Sequence, residues 1–161
     1  MNITYQSCVI FVQEIAASRR FYEDLLGQEV EIDFGPGVDL QNGFTLWQID
    51  HAFQTIYERA PDAAERLRQG NHELHFETVD AKAAADRLLQ AGVEFVHPLR
   101  EMPWGKRIFR VRDPDGHVVA VGEPMPAVVA RLLSEGQSTK AVAARTAMPL
   151  EIVEQIAQGS I

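Results

Sequence analysis

The sequence repeats itself: a β-rich stretch followed by an amphipathic helix occurs twice, with Glu14 and Asp80 marking equivalent positions 66 residues apart. In the first copy, residues 3–13 (ITYQSCVIFVQ) alternate, with Cys8, Ile10 and Val12 on one face and Ser7, Val9 and Phe11 on the other. Glu14 then precedes IAASRRFYEDLLG, where Ala17, Phe21 and Leu25 recur at helical spacing and Gly27 stands where a helix would stop. In the second copy residues 72–79 (HELHFETV) alternate and Asp80 is placed to cap the following helix. AKAAADRLLQAG then carries Ala84, Leu88 and Ala91 in phase and closes on Gly92.

Strand-like runs follow each helix. In the first half they cover 29–34, 44–49 and 52–57, parted by Gly35-Pro36-Gly37 and Asn42-Gly43. In the second half they cover 94–97, 106–112 and 117–121, with Asp113-Pro114-Asp115-Gly116 placed as a type I turn before the last. The expected class is α+β: two tandem βαβββ modules forming a curved mixed sheet around a cleft, with helices outside. The modules span about 1–60 and 71–123 of a domain covering 1–123, joined by a helical linker (61–71), and 124–161 form a helical appendage.

Strand parity divides the second module. Leu74 and Phe76 are expected under the helix, with Glu73, His75 and Glu77 on the opposite face. The single cysteine, Cys8, reads as a small buried hydrophobe and allows no internal disulfide. A net charge of −8 repels nucleic acid and anionic membrane surfaces. No apolar run approaches the roughly 18–20 residues of a membrane span. The N-terminus lacks a basic region and a cleavage site, so the cytoplasm is the expected location.

Two stretches carry a family resemblance. Ile15-Ala16-Ala17-Ser18-x-x-Phe21-Tyr22-x-x-x-Leu26-Gly27 resembles the first helix of vicinal oxygen chelate proteins, the glyoxalase/bleomycin-resistance/extradiol-dioxygenase superfamily. Pro103-Trp104-Gly105-x-Arg107-x-Phe109-x-Val111-x-Asp113-Pro114-Asp115-Gly116-His117 resembles the last hairpin of its bleomycin-resistance-like branch. The resemblance covers residues 3–123 and implies a fold rather than one reaction, because that fold hosts isomerases, epimerases, dioxygenases, thiol transferases and drug binders.

In metal-dependent members, four strand residues hold a divalent ion. By the resemblance those positions here are Ser7, Gln54, Glu73 and Ala120. Alanine cannot coordinate and a neutral serine coordinates poorly, so no metal and no other cofactor is expected. His75, on the face of Glu73, is the one further donor nearby.

What remains is a small-molecule pocket. Trp104, Phe11, Phe44 and Trp47 are candidate walls, and Gln54 and His75 candidate polar contacts. Arg110 is placed either to meet an anionic or carbonyl oxygen or to pair with Glu73 or Glu77. Glu73 is the candidate general base, on the argument that a carboxylate on an apolar concave face is hard to ionise. Three readings follow: a metal-independent binder of the bleomycin-resistance type, a metal-independent isomerase or lyase using Glu73, and a regulatory module with a helix-turn-helix-like tail.

The tail reading turns on STKAVAARTAMPLEIVEQIA, whose would-be recognition helix carries Glu151, Glu154 and Gln155 and no basic residue, so nucleic acid is not expected as a partner. The family resemblance implies paired subunits, and Val128, Leu132, Val142, Leu150 and Val153 are more apolar surface than so short a tail is expected to hide, so a homodimer is expected.

Overall fold

The computed structural model describes residues 8–66 and 73–159, which group into two units. One unit contains residues 8–66 together with the Asp113–His117 turn, and the other contains 73–112 and 118–159. Ser7 and the linker stretch 67–72 lie outside the described residues.

The first unit runs β1 (Cys8–Val12), α1 (Ile15–Arg19, continued by a wider helical turn over Arg20–Leu25), β2 (Val30–Asp33), β3 (Gly37–Leu40), β4 (Phe44–Gln48), α2 (Ile49–Tyr57) and α3 (Ala63–Arg66). The second runs β5 (Glu73–Glu77), α4 (Ala81–Gln90), β6 (Phe95–Glu101), β7 (Arg107–Arg112), β8 (Val118–Gly122), then α5 (Met125–Ser134), α6 (Thr139–Thr146) and α7 (Leu150–Ala157). Each unit holds a four-stranded mixed sheet, in the orders β1-β4-β3-β2 and β5-β8-β7-β6. In both, three antiparallel strands form a meander and the opening strand pairs parallel with the last. The repeat in sequence is therefore a repeat in topology.

Sequence expectation and structure part company within the first unit. Residues 52–57 are helix, not strand: Ile49, Ala52 and Phe53 are 4%, 0% and 6% exposed, the i, i+3, i+4 spacing of a helix. The missing strand is β3, hidden between the two turn signals, where Val38 (0%) and Leu40 (1%) are buried on either side of Asp39. A strand of four residues leaves too short a pattern to outweigh flanking glycines. Cys8 is exposed rather than buried, although register gives it the side of Ile10 and Val12.

Both helical stripes are displaced from the expected phase. On the first helix the buried residues are Ser18, Phe21 and Tyr22, and on α4 they are Ala81, Ala85 and Leu88. The ends fall as anticipated, since the Asp80 carboxylate accepts from the Ala83 N–H at 2.9 Å and Gly92 takes a φ of 75° after α4.

Ser18 and Tyr22 are buried polar groups and each has a partner on the Asp113–His117 turn. The Tyr22 hydroxyl donates to Asp113 Oδ2 at 2.9 Å, Ser18 Oγ to Asp115 Oδ2 at 3.2 Å, and the Gln13 N–H to Asp115 Oδ1 at 2.9 Å. Within the turn, Gly116 N–H donates to the Asp113 carbonyl at 2.9 Å, the i→i+3 bond its sequence called for. Asp113 Oδ1 also takes the N–H groups of Asp115 and His117, and Asp113 Oδ2 meets His117 Nδ1 at 2.9 Å.

The three tail helices make their own core. Val128, Val129, Leu132, Val142 and Val153 are each 0% exposed, with Met125, Leu133, Met148 and Ile156 packed against them. Of the five residues that pointed to a dimer, Val128, Leu132, Val142 and Val153 are thus buried inside the chain and Leu150 is half-buried, because three short helices together bury what none could bury alone.

Candidate functional site

The polar face of the second sheet follows from strand register. His75 pairs with Ala120 and Ala120 with Arg110; Glu73 pairs with Val118 and Val118 with Arg112; Glu77 pairs with Gly122 and Gly122 with Ile108. Paired residues share a face, so Glu73, His75 and Glu77 on β5 look across the small side of β8 toward Arg110 on β7. Leu74 and Phe76 take the other side, as parity required.

Two hydrogen-bonded groups occupy this face. In the first, Arg110 Nε donates to Glu73 Oε2 at 2.5 Å and a second guanidinium nitrogen to Oε1 at 3.3 Å. A third meets His97 Nε2 at 3.1 Å. His97 Nδ1 lies 2.9 Å from the Pro98 carbonyl, so the proton belongs on Nδ1 and Nε2 accepts from Arg110. Glu73 therefore stands beside a guanidinium, not on a bare apolar surface, and of the two roles weighed for Arg110 the structure displays the ion pair with Glu73.

The second group centres on Lys106, which is 5% exposed. Its Nζ donates to Glu77 Oε1 at 2.7 Å and reaches His75 Nε2 at 3.0 Å. The lysine can cross β8 because position 122 is glycine: a Cβ there would stand 2.9 Å from Lys106 Cε and 3.1 Å from the Arg107 carbonyl. Burial and then the Lys106 charge lower the His75 pKa against the opposing pull of Glu77 and Glu73, which keeps the imidazole neutral and Nε2 an acceptor. Lys106 was not among the residues singled out from sequence. The signal for it is the glycine ending VVAVG, a gap that a long neighbouring side chain can fill.

Lys106 follows a tight turn in which Gly105 N–H donates to the Met102 carbonyl at 2.8 Å. Pro103 holds the second turn position, where its fixed φ is favoured. Trp104 comes next and is 40% exposed, an indole displayed rather than packed. Trp104, Lys106, His75, Glu73 and Arg110 thus all belong to the second unit.

The remaining candidates belong to the first unit. Phe11 and Trp47 pair in register on the face that also carries Thr45 and Asp39. Their rings meet edge to face at 6.3 Å, and Phe11 also contacts Phe53 at 5.9 Å. The Trp47 indole donates to His51 Nδ1 at 2.9 Å. Phe44 has the opposite orientation: it is 8% exposed with its ring 5.3 Å from that of Tyr22, a core residue. Gln54 lies exposed on α2, not on a strand, so it cannot be the first module's counterpart of Ala120. Register assigns that place to Thr45, since Val9 pairs with Thr45 as His75 pairs with Ala120. The Thr45 hydroxyl is committed to Asp39 at 2.5 Å.

A divalent ion does not fit this donor set. Ala120 offers a methyl, Thr45 a hydroxyl already bonded, and Glu73 a carboxylate already paired with Arg110. No group of three or more His, Cys, Asp or Glu residues suited to a metal occurs among the described residues. No described helix is long and apolar enough to cross a membrane.

Tandem βαβββ units, each built on a four-stranded mixed sheet, define a protein of the glyoxalase type. The chain belongs to the glyoxalase-like domain family, whose sequence profile matches residues 5–126, and so to the vicinal oxygen chelate superfamily. Among solved structures it is similar to a protein of unknown function from Agrobacterium tumefaciens, with 35% identity over 77% of this chain and 96% of that one and a TM-score of 0.69. A glyoxalase-related enzyme from Fulvimarina pelagi shares 25% identity over 76% and 90% of the two chains, with a TM-score of 0.60. A glyoxalase/bleomycin resistance protein/dioxygenase from Nocardioides, 19% identical over 76% and 84% with a TM-score of 0.55, shares the fold. No curated protein matches the chain.

Proposed function

We propose that the chain is a metal-independent small-molecule binder of the bleomycin-resistance-like branch, and that its ligand sits against the second sheet between Trp104 and the Glu73/His75 strand. The observation behind this reading is that two cations, Arg110 and Lys106, share one face of the second sheet, and that the turn leading into Lys106 carries a tryptophan that is 40% exposed. Arg110, the more exposed of the two, suits a carboxylate or carbonyl oxygen, the indole suits a planar body, and the buried Lys106 holds His75 and Glu77 in place. Residues 1–123 are the binding domain in this reading, residues 124–161 the appendage, and the cytoplasm the location.

A thermal-shift screen of small carboxylates and carbonyl compounds, followed by calorimetry, tests it. Stacking on Trp104 would contribute roughly 0.5–1.5 kcal/mol beyond area burial, and a charged hydrogen bond from Arg110 about 1.5–3 kcal/mol. Trp104→Ala and Arg110→Ala should each weaken binding by roughly three- to a hundred-fold with the fold intact. Equal affinity in both variants would move the site elsewhere. If Glu73→Gln preserves binding of a ligand that the parent protein turns over, but abolishes turnover, the isomerase or lyase reading replaces the binder. Homodimerisation remains a proposal supported by the family resemblance alone, and sedimentation at micromolar concentration should then give twice the chain mass.

A further inference from the structure

The turn that displays Trp104 is gripped by two arginines, Arg131 and Arg145, that lie beyond the family match, which ends at residue 126. From α5, Arg131 donates to the Gly105 carbonyl, to both Glu123 oxygens (3.3 and 3.1 Å), to Glu101 (3.1 Å) and to Glu135 (3.0 Å). From α6, Arg145 donates to the Pro103 carbonyl at 3.3 Å and to Glu101 Oε1 at 2.5 Å. The carbonyls on both sides of Trp104 are therefore held by guanidinium groups of the tail. Leu132 closes against the same place: a Cβ on Gly105 would stand 2.9 Å from Leu132 Cδ1 and 3.5 Å from Val128 Cγ1. The Arg131 side chain is 15% exposed and that of Glu123 11%, so this is a mostly buried ion pair.

We propose that α5 and α6 brace the Trp104–Lys106 segment, with Arg131 and Arg145 as positioning residues for the ligand site, an inference that rests on the site proposed above. A loose turn would have to be ordered each time a ligand docked, and that ordering subtracts from affinity. A turn fixed from behind presents the indole and starts the Lys106 side chain in one geometry. The tail thereby sets the strength of binding without touching the ligand.

The test uses the full chain carrying Trp47→Phe, which leaves Trp104 as the one remaining tryptophan. Arg145→Ala, Arg145→Lys and Glu101→Gln are compared with this parent by time-resolved fluorescence anisotropy of Trp104. Each is also titrated with phenylpyruvate, a planar probe carrying a 2-oxo acid. Circular dichroism accompanies both, and the choice of the partly exposed Arg145 and Glu101 spares the buried Arg131. The fast component of the anisotropy decay should grow roughly two-fold in Arg145→Ala and Glu101→Gln, as local motion on the nanosecond scale is released. Phenylpyruvate affinity should fall roughly two- to ten-fold, the cost of ordering one side chain on binding. Arg145→Lys should lie between. An unchanged anisotropy decay in Arg145→Ala would overturn the brace. A faster decay with unchanged affinity would also overturn it, because the helices would then hold a turn that the site does not use. If the parent binds phenylpyruvate no better than a Trp104→Ala variant, the proposed site is what fails, and the anisotropy decay alone decides whether the arginines hold the turn.

Discussion

A single methyl group added at Gly122 would strike three things at once: Lys106 Cε at 2.9 Å, the Arg107 carbonyl at 3.1 Å and Ile108 Cγ1 at 3.1 Å. The carbonyl is strand backbone and Ile108 is 2% exposed, so the lysine is the member able to give way. Gly122→Ala should cost about 1–3 kcal/mol, the usual range for overpacking, and should pull the ammonium away from His75. With that neighbour gone, the His75 pKa should rise toward its ordinary value, a shift that NMR titration of the imidazole reads directly. His117 offers the opposite case. Burial works against its imidazolium, but the hydrogen bond and charge of Asp113 win and the pKa is raised. Its contribution to stability is then fully present below about pH 6.5, the unfolded value, and is lost as pH rises through the folded value. His75, with a lowered pKa, slopes the other way, so the informative quantity is a difference. The stability gap between the parent and His117→Gln should narrow as pH rises from acid to alkaline. A gap that is constant with pH would mean that His117 does not bind its proton more tightly in the folded chain.

Among the elements, the tail behaves as part of the second unit. Glu123, 8% exposed, receives Arg131 from α5 and the Arg107 N–H at 2.9 Å. Arg131→Met leaves that carboxylate buried with its cation gone, and breaking such a pair costs about 3–5 kcal/mol. Urea unfolding should show the loss, whereas a change under about 0.5 kcal/mol, the ordinary surface range, would mean the pair is solvated. The elements also show what a sequence can and cannot disclose. The opening strand of each unit, β1 and β5, and the helix ends were legible because alternation, Asp80 and the terminal glycines are local signals. Strand β3 and helix α2 were not: GVDL is too short to declare a period, and AFQTIY is rich in residues common in strands although Ile49, Ala52 and Phe53 follow a helical one. The candidate site divides the same way. Parity put Glu73 and His75 on one face, while Arg110 was open to a ligand oxygen or to Glu73 or Glu77 until register placed it opposite them. Lys106 escaped notice because its partners are 29 and 31 residues away and are brought near only by placing β8 between β5 and β7.

At the scale of the whole molecule, the Asp113–His117 turn has a consequence for how the chain is made. The first unit takes its last structural part from a segment that is synthesised nearly fifty residues after α3. Until that segment leaves the ribosome, the Gln13 N–H, the Ser18 hydroxyl and the Tyr22 hydroxyl lack the carboxylates they bond in the finished protein. Ser18 keeps the Glu14 carbonyl of its own helix and Gln13 is exposed, but losing the Asp113 acceptor of the buried Tyr22 hydroxyl costs about 1–3 kcal/mol, a large share of what a unit of this size can spare. The nascent N-terminal half is therefore held back from closing on its own, and the two halves mature together instead of in sequence. A chain stopped at residue 66 should give a poorly dispersed amide spectrum and rapid proteolysis. A full chain cut only within 67–72 should keep the native spectrum, because the cut leaves the borrowed turn in place.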